Sequence, residues 1–250
     1  MSLLVRDVYD FVDPEDLKVE KDFAIKNYNA RLAEIYRTEE NLGGLPINMN
    51  GFKLFSVNET SSRPLNLAYK AARLVDAEKA DRFLYRLRYA TIVECRPTTR
   101  LQEILKVVVK TGLDMKKFLV AYNDGRAEKN LQADLEICRR LGIHSLPSYL
   151  IQFKEQGALA QSLLDYKTFA KIFSDLSGGK IRPVPPEKNL ETLRALLEKH
   201  PLISPIELRE AFGFDDTEQV EKFIAPLIDS GEIKFVDVPR GKFIEKILEG

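Results

Sequence analysis

The sequence predicts a mostly helical α/β protein, on three observations. Over residues 64–141, apolar positions recur at helical spacing, and capping residues separate five short amphipathic helices. After Gly142 the pattern changes to an aliphatic and aromatic run over residues 148–153, which is typical of a strand. A proline-rich stretch at residues 180–186 then separates a last segment from the rest of the chain, as an interdomain linker does.

The N-terminal part begins with a strongly signalled helix. Asp13 suits the N-cap position, and Pro14 suits the first helical position. Apolar residues then follow at helical spacing until residues 41–44 end the helix. Residues 45–63 are rich in turn formers, which predicts a connector rather than a regular element.

Each of the five helices that follow is delimited by a capping residue, a proline or a glycine. Five short amphipathic helices in a row predict a compact helical subdomain, because each must bury its apolar face against another element. The delimiting residues are Pro64, Asp76, Thr99, Asp114 and Gly125 at the starts, with Gly142 after the last helix.

A hairpin and a helix are predicted after the helical subdomain. The strand at residues 148–153 is followed by a turn at residues 154–157 and a return strand at residues 158–163. Asp165 then caps a helix that the glycine pair at residues 178–179 ends. We expect the inward face of this helix to carry Phe169, Ile172, Phe173 and Leu176.

The last segment, residues 187–250, predicts three helices and a hairpin, in an order that resembles a winged helix-turn-helix. Ser204 and Glu207 form a capping box around Pro205, and Asp216 caps the third helix. The segment carries nine Lys and Arg residues against fourteen Asp and Glu residues, a net charge of −5. Because DNA binding depends on cations that neutralise phosphates, we expect a protein-docking or intramolecular packing module and no nucleic-acid partner.

The overall composition is that of a soluble globular protein. The chain has 250 residues, of which 44% are hydrophobic, and its 38 basic residues balance its 38 acidic residues. No apolar run approaches the length of a membrane span, and the N-terminus lacks the pattern of a signal peptide. We therefore expect a cytoplasmic protein with no membrane partner.

Over residues 4–177 the chain resembles the DsbA-like branch of the thioredoxin superfamily, particularly the FrnE-type dithiol-disulfide isomerases. The most specific part of the resemblance is the Leu-Pro-Ser-Tyr turn that follows the helical array. The segments that carry the resemblance are PLNLAYKAA at residues 64–72, FLYRLR at residues 83–88, DLEICRRLG at residues 134–142 and LPSYLI at residues 146–151.

The resemblance implies a thioredoxin fold with an inserted helical subdomain. It places a DsbA-like domain at residues 1–179, with the insertion at about residues 64–141. The linker at residues 180–186 and a winged-helix-like module at residues 187–250 complete the expected organisation. The activity that the resemblance implies is thiol-disulfide exchange, without a cofactor, on a dithiol or disulfide substrate protein.

The proline turn is where the resemblance places the substrate. It implies that the peptide bond before Pro147 is cis, although only about one in twenty X-Pro bonds in folded proteins is cis. The backbone of Leu146 would then pair with an extended peptide, as in strand addition. His144 lies beside the turn, where it could bind an anion or tune a thiol, but because no partner is in view a solvated loop histidine is the favoured interpretation.

The cysteines depart from the family pattern. The C-x-x-C motif of the family lies at the start of a helix, whose dipole favours the thiolate. The two cysteines here, Cys95 and Cys138, form no such motif, and residues 3–12 look like the segment after the second strand of the family, so that the first β-α-β unit would be missing. We expect no catalytic residue and no metal site in this chain, and we expect both thiols to be core residues. Whether they form a disulfide stays open.

Three functions therefore remain open, and with them the question whether the chain is an enzyme. The first is a thiol-disulfide oxidoreductase by lineage, inactive in this chain because C-x-x-C is absent. The second is a non-redox protein that binds extended peptides at the proline turn, and the third is a regulator that acts through residues 187–250. A thioredoxin fold without its first β-α-β unit would expose core and a sheet edge, so we also expect self-association into a homo-oligomer.

Overall fold

The computed structural model describes residues 6–247, which fold into two compact units. The smaller unit contains the described residues 129–185, and the larger contains residues 6–128 together with residues 186–247. The boundary on the N-terminal side of the smaller unit falls within the helix Arg126–Arg140. The domain limits that the sequence suggests stay a prediction. The first three residues of the segment 3–12 lie outside the described residues.

The N-terminal part of the larger unit is helical. Its cap predictions at Asp13, Asp76 and Asp114 are confirmed, because each side chain accepts a hydrogen bond from a backbone N–H in the first turn of its helix. The helices are α1 (Pro14–Val19), α2 (Lys21–Gly43), α3 (Arg63–Val75), α4 (Ala77–Ile92), α5 (Leu101–Lys110), α6 (Met115–Asn123) and α7 (Arg126–Arg140), the last of which continues into the smaller unit.

Two local predictions in this part are wrong. The single N-terminal helix is broken at Glu20, whose extended backbone ends α1 and begins α2. Thr99 does not cap α5, because Arg100 takes the N-cap position and the Thr99 hydroxyl instead donates to the carbonyl of Leu54, 2.6 Å away. The Thr99 side chain is therefore engaged in a tertiary hydrogen bond, which no local sequence pattern predicts.

Two apolar clusters hold the helical part together. One surrounds Phe83 and Phe118, whose ring centroids lie 5.8 Å apart, and it joins α3, α4, α5 and α6. The other packs α2 against the extended segment that ends at Phe55. Asn29 on α2 is buried and holds both backbone polar groups of Phe55, at 2.9 and 3.1 Å, so that this segment needs no strand partner there.

The smaller unit contains the predicted hairpin and helix. The strands are β1 (Tyr149–Phe153) and β2 (Gln156–Ala160), paired antiparallel, and the helix is α8 (Tyr166–Ser177). The turn is shorter than predicted, because it consists of two residues and begins with Lys154 at a φ of +53°. A left-handed conformation at this position matches the twist of a two-residue hairpin. Asp165 caps α8 as predicted, and Gly178 ends it.

The C-terminal segment of the larger unit forms three helices and a small sheet. The sheet is antiparallel, and its central strand is Gly241–Lys246. This strand pairs with Ile233–Val238 on one side and with the short strand Leu202–Ile203, which has no signal in the sequence, on the other. The capping box of Ser204 and the cap at Asp216 are confirmed. The elements are α9 (Leu190–Lys199), β3 (Leu202–Ile203), α10 (Pro205–Phe212), α11 (Thr217–Asp229), β4 (Ile233–Val238) and β5 (Gly241–Lys246).

This segment packs against the helical part of the same unit. The ring of Phe243 on β5 meets that of Tyr89 on α4 edge to face, with centroids 4.8 Å apart. Arg240, in the turn before β5, donates from Nε to a carboxylate oxygen of Glu40 on α2 at 2.8 Å. Tyr85 on α4 donates to Glu207 at 2.6 Å, and burial, together with that carboxylate, raises the pKa of the Tyr85 hydroxyl. The tip of the β4–β5 hairpin is therefore engaged within the chain.

Candidate functional site

The proline turn lies directly after α7 in the smaller unit. Gly142 adopts a φ of +63°, and the N–H groups of Gly142 and Ile143 bond back to the carbonyls of Arg139 and Cys138. This pair of bonds is a Schellman motif, which ends the helix and turns the chain. The Leu146–Pro147 peptide bond is cis, as the resemblance implied.

The residues predicted as the site come together at this turn. Leu146 is 45% exposed, and the next residue, Pro147, is half-buried. The hydroxyl of Ser148 donates to the carbonyl of Ser145 at 2.6 Å and thereby closes the turn. His144 is exposed. Leu146 and His144 are thus accessible to another molecule, and their role stays a prediction.

The hairpin after the turn has two different faces. On one face, Tyr149 contacts Phe169 of α8 edge to face at 4.9 Å, and Ile151 is buried. On the other face, Leu150 and Leu159 are 44% and 37% exposed although they are direct register partners. Side chains alternate along a strand, so that Tyr149 and Ile151 share one face and Leu150 lies on the other. The first face is covered by α8, and the face of the two leucines is open.

The alternation of the hairpin sequence contains a signal for this open face that the sequence analysis did not use. Tyr149, Leu150 and Ile151 are consecutive residues of β1, so that each face of the strand carries an apolar side chain, and Gln152 shares the open face with Leu150. Consecutive apolar residues are typical of a strand that is covered on both sides. In the described part of the smaller unit, α8 covers one side only. The exposed position of Phe173 on α8, which was predicted to face inward, adds a further uncovered ring.

The charged side chains of the smaller unit form surface pairs. Hydrogen bonds from Arg139 lower the pKa of Glu136, and the N–H and hydroxyl of Thr168 lower that of Asp165. The pair of Lys171 and Asp175 raises the pKa of the lysine. Each of these shifts favours the charged form that the group already has at neutral pH, so none of them prepares a proton-transfer group.

The two cysteines are free thiols. Both are half-buried, so the prediction that they are core residues is only partly met. Cys95 lies past the end of α4, at a left-handed φ of +52°, and its thiol donates to the carbonyl of Asn48 at 2.5 Å. Burial raises the pKa of the Cys95 thiol, which disfavours the nucleophilic thiolate.

A second feature, which the sequence analysis missed, is a groove in the larger unit. It has a volume of about 710 Å³ and runs along α2 from Asp22 to Arg37, with Phe52 and Cys95 on the opposite side. Its charged lining is mixed, so it does not favour one ligand charge. The groove forms because α2 packs against a segment far along the chain, and no local pattern predicts that.

Residues 6–247 bring together no group of three or more His, Cys, Asp or Glu side chains that could hold a metal ion. None of the helices in that range is long and apolar enough to cross a membrane.

Comparison with known proteins places this geometry in a family. A family model described as Thioredoxin matches residues 16–171. The similar curated proteins include the ClpXP adapter protein SpxH of Halalkalibacterium halodurans, 24% identical over 215 residues, which cover 85% of this chain and 68% of the relative. The protein of the same name from Staphylococcus saprophyticus is 26% identical over 181 residues, covering 71% and 66%. This chain thus spans about two thirds of the length of the curated relatives that it matches.

One solved structure supports the fold independently. A crystal structure from Nitrosomonas europaea, of a protein provisionally designated a protein disulfide isomerase, superposes with a TM-score of 0.54. The match covers 61% of this chain and 74% of the other, at 14% identity, and therefore concerns the fold alone. Residues 16–171, which the family model matches, contain the helical array, the proline turn, the hairpin and the first half of α8. This chain belongs to the thioredoxin family and has a mostly helical thioredoxin-like fold.

Proposed function

We propose that this protein is a non-redox adapter, which holds another protein and presents it to ClpXP. The observation that carries the proposal is the hairpin of the smaller unit. Its proline turn and its open face expose Leu146, Leu150 and Leu159. Leu150 and Leu159 are direct register partners, and adjoining exposed leucines are typical of protein-binding surfaces, because they are otherwise costly to leave in water.

The curated relatives support the adapter assignment. Two of them, from different genera, carry the name ClpXP adapter protein SpxH, and their similarity extends over 71% or more of this chain. An adapter must bind two proteins, which requires surfaces rather than a reactive group. The present chain offers the open hairpin in one unit and the acidic C-terminal segment in the other.

The chemistry of the thiols favours binding over thiol exchange. Exchange requires a thiolate that attacks a disulfide and a second thiol that resolves the mixed disulfide. The sequence has no C-x-x-C, burial raises the pKa of the Cys95 thiol, and this thiol donates to a carbonyl. The lineage, which we propose to be the FrnE-type branch, would thus retain the fold of an oxidoreductase and use it for recognition.

The C-terminal segment has a role in this proposal. We propose that it has a winged-helix topology, on the basis of its element order and its sheet order. The hairpin that would be the wing is packed against Tyr89 and bonded to Glu40. A net charge of −5 over residues 187–250 also opposes DNA binding. We therefore assign the segment to intramolecular packing and protein docking.

Binding to purified ClpXP tests the proposal. The full chain, immobilised for biolayer interferometry, is expected to bind ClpXP, and the Cys95→Ser/Cys138→Ser double variant is expected to bind with the same affinity. An insulin-reduction assay on both proteins should show no turnover above the uncatalysed rate. Absence of ClpXP binding, or an activity that the double variant loses, would refute the non-redox adapter function.

A further inference from the structure

We propose that the proline-rich segment at residues 181–186 is a docking segment, which binds in the polyproline II conformation to an aromatic groove with an acidic rim on a partner protein. The inference goes beyond the proposed function, because it gives a binding role to a segment whose sequence pattern alone indicates a linker. Three observations on the described residues carry it: the restraint of the backbone, the exposed apolar side chains and the charge.

Proline restrains five consecutive residues of this segment. Residues 182–186 read Arg-Pro-Val-Pro-Pro. A proline ring fixes its own φ at about −65°, and the residue before a proline is confined to extended conformations. Because Arg182 and Val184 each precede a proline, all five residues favour polyproline II, a helix without internal hydrogen bonds. Residues 181–188 accordingly contain no helix or strand.

Both ends of the segment are held by neighbouring elements. The N–H of Ile181 donates to the hydroxyl of the buried Ser177 at 2.9 Å. At the other end, Lys188 donates to the carbonyl of Gly213 at 3.0 Å, and its ammonium group lies 4.4 Å from the Phe214 ring centroid. A segment that is held at both ends and restrained by proline loses little conformational freedom when a partner binds it.

The part between these ends exposes apolar side chains. Ile181 is 40% exposed, and Val184 is 84% exposed, more than any other large hydrophobic residue of residues 6–247. Pro183 and Pro186 are exposed as well. Polyproline II has three residues per turn, so Pro183 and Pro186 lie on one edge of the helix and Val184 lies on the next. An aromatic groove can cover both edges, because proline rings and valine methyl groups pack against flat aromatic rings.

The backbone of the segment is available to the same groove. Within residues 6–247, no hydrogen bond reaches the carbonyl groups of residues 182–186. In polyproline II these carbonyls point away from the helix axis into solvent. Tyrosine hydroxyl and tryptophan N–H groups in an aromatic groove can donate to them. The rings of the groove therefore satisfy both the apolar side chains and the free acceptors.

The charge of the segment explains the acidic rim. Residues 180–186 include Lys180 and Arg182 and no acidic residue, a net charge of +2. Both side chains are exposed, and the bond from Nε of Arg182 to the carbonyl of Gly179 is long, at 3.4 Å. Arg182 lies on the third edge of the helix, outside the groove, where a carboxylate at the rim can pair with it. A second copy of the chain is disfavoured as the partner, because the chain has no tryptophan to line such a groove.

The test uses the full chain and a panel of purified SH3 and WW domains, selected for acidic residues beside their aromatic grooves. Each domain is compared with a variant in which a central aromatic residue of the groove is replaced by alanine. Two variants of the chain remove the site: Pro183→Ala/Pro186→Ala removes the proline edge, and Arg182→Glu reverses the charge at the rim. The matched controls are Pro14→Ala, at the exposed first position of α1, and Lys110→Glu, at the exposed end of α5.

Isothermal titration calorimetry is expected to show that at least one domain binds the wild type and both controls with the same affinity. The double proline variant should weaken this binding at least tenfold, because it removes two rings and releases the backbone. Arg182→Glu should also weaken it at least tenfold, because a carboxylate then faces the acidic rim. The domain without its groove aromatic residue should bind at least tenfold more weakly. Circular dichroism should show unchanged helix content in both site variants, because residues 182–186 lie outside the helices.

The inference is overturned if no domain of the panel binds, or if either site variant or the groove variant binds as tightly as its parent. It is also overturned if light scattering shows a dimer that the double proline variant dissociates, because the partner is then a second copy. Binding of ClpXP by a chain that no domain of the panel binds would refute this inference and leave the adapter function intact. Domain binding that the site variants abolish, without binding of ClpXP, would do the reverse.

Discussion

The hairpin of the smaller unit and the C-terminal segment of the larger unit are built from similar local elements but differ in their cores. Each contains an antiparallel hairpin and a helix with an acceptor at the N-cap and a left-handed glycine at the C-cap. In residues 187–247 a cluster of ten buried apolar residues closes around Leu193 and Ile224. Over the described residues 142–185, by contrast, Ile151 is the one buried hydrophobic residue.

The difference teaches that capping and pairing do not make a closed fold. The C-terminal segment has three helices to cover its sheet, and the helical part of its own unit covers the rest through Tyr89. In the smaller unit α8 covers one face of the hairpin, and Leu150 and Leu159 stay exposed on the other. This uncovered face is the physical basis of the binding function proposed above.

Truncation of a leucine should destabilise the protein strongly in the C-terminal segment and very little in the smaller unit. Leu193 is fully buried on α9, so Leu193→Ala is expected to lower the free energy of unfolding by about 2–5 kcal/mol through lost burial and a residual cavity. Leu163 after β2 is 75% exposed, so Leu163→Ala should change it by less than about 0.5 kcal/mol. Urea unfolding followed by circular dichroism measures both. Similar losses in the two variants would contradict the contrast between a closed and an open region.

Addition of a methyl group to a hairpin glycine should also affect the stability of the two regions differently. Gly241 has a φ of +156°, and a Cβ there would lie 2.9 Å from Cγ of Pro46, so Gly241→Ala is expected to cost about 1–3 kcal/mol of stability. Gly157 in β2 has only ordinary neighbours, the nearest at 3.6 Å, so Gly157→Ala should stay within about 0.5 kcal/mol. Thermal unfolding measures both. A neutral Gly241→Ala variant would show that the β4–β5 hairpin is not held tightly against the helical part.

The dependence of stability on pH should reveal a charge pair of the C-terminal segment. Hydrogen bonds from Arg194 and Ser230 lower the pKa of Glu232 from its usual 4.5 to about 2. Because the folded-state pKa is depressed, this contribution is present above pH 4.5 and is lost as the pH falls from 4.5 towards 2. Glu232→Gln should therefore flatten the decrease of the urea midpoint over that range. An unchanged acid limb would indicate that solvent screens the pair.

The local elements of the fold could be predicted from the sequence. Five of the predicted N-caps accept the expected backbone hydrogen bonds, and the capping box at Ser204 is complete. These succeed because a cap is a contact between residues two or three positions apart. The predictions for Thr99 and Phe173 fail because their outcome depends on distant groups. The carbonyl of Leu54 accepts the hydrogen bond of the Thr99 hydroxyl, and the elements of residues 6–247 leave Phe173 41% exposed.

The candidate site was predicted in part. The sequence placed Leu146, Pro147 and His144 in one turn, and the structure confirms the cis peptide bond before Pro147. An exposed core and a sheet edge were expected from the resemblance, but not that Leu150 and Leu159 would be the exposed residues, because an apolar strand can be covered or exposed with the same residues. What covers a strand is decided by elements elsewhere in the chain.

The limits of most helices, the proline turn and the lack of a C-x-x-C pair can be read from local sequence, because each depends on neighbouring residues. The folded chain is needed to see that Phe243 is covered by Tyr89 while Leu150 is left exposed. Both are apolar residues on hairpin strands. Burial is a property of two surfaces in contact, and a residue cannot specify it without the partner that folding brings to it, or leaves to another protein.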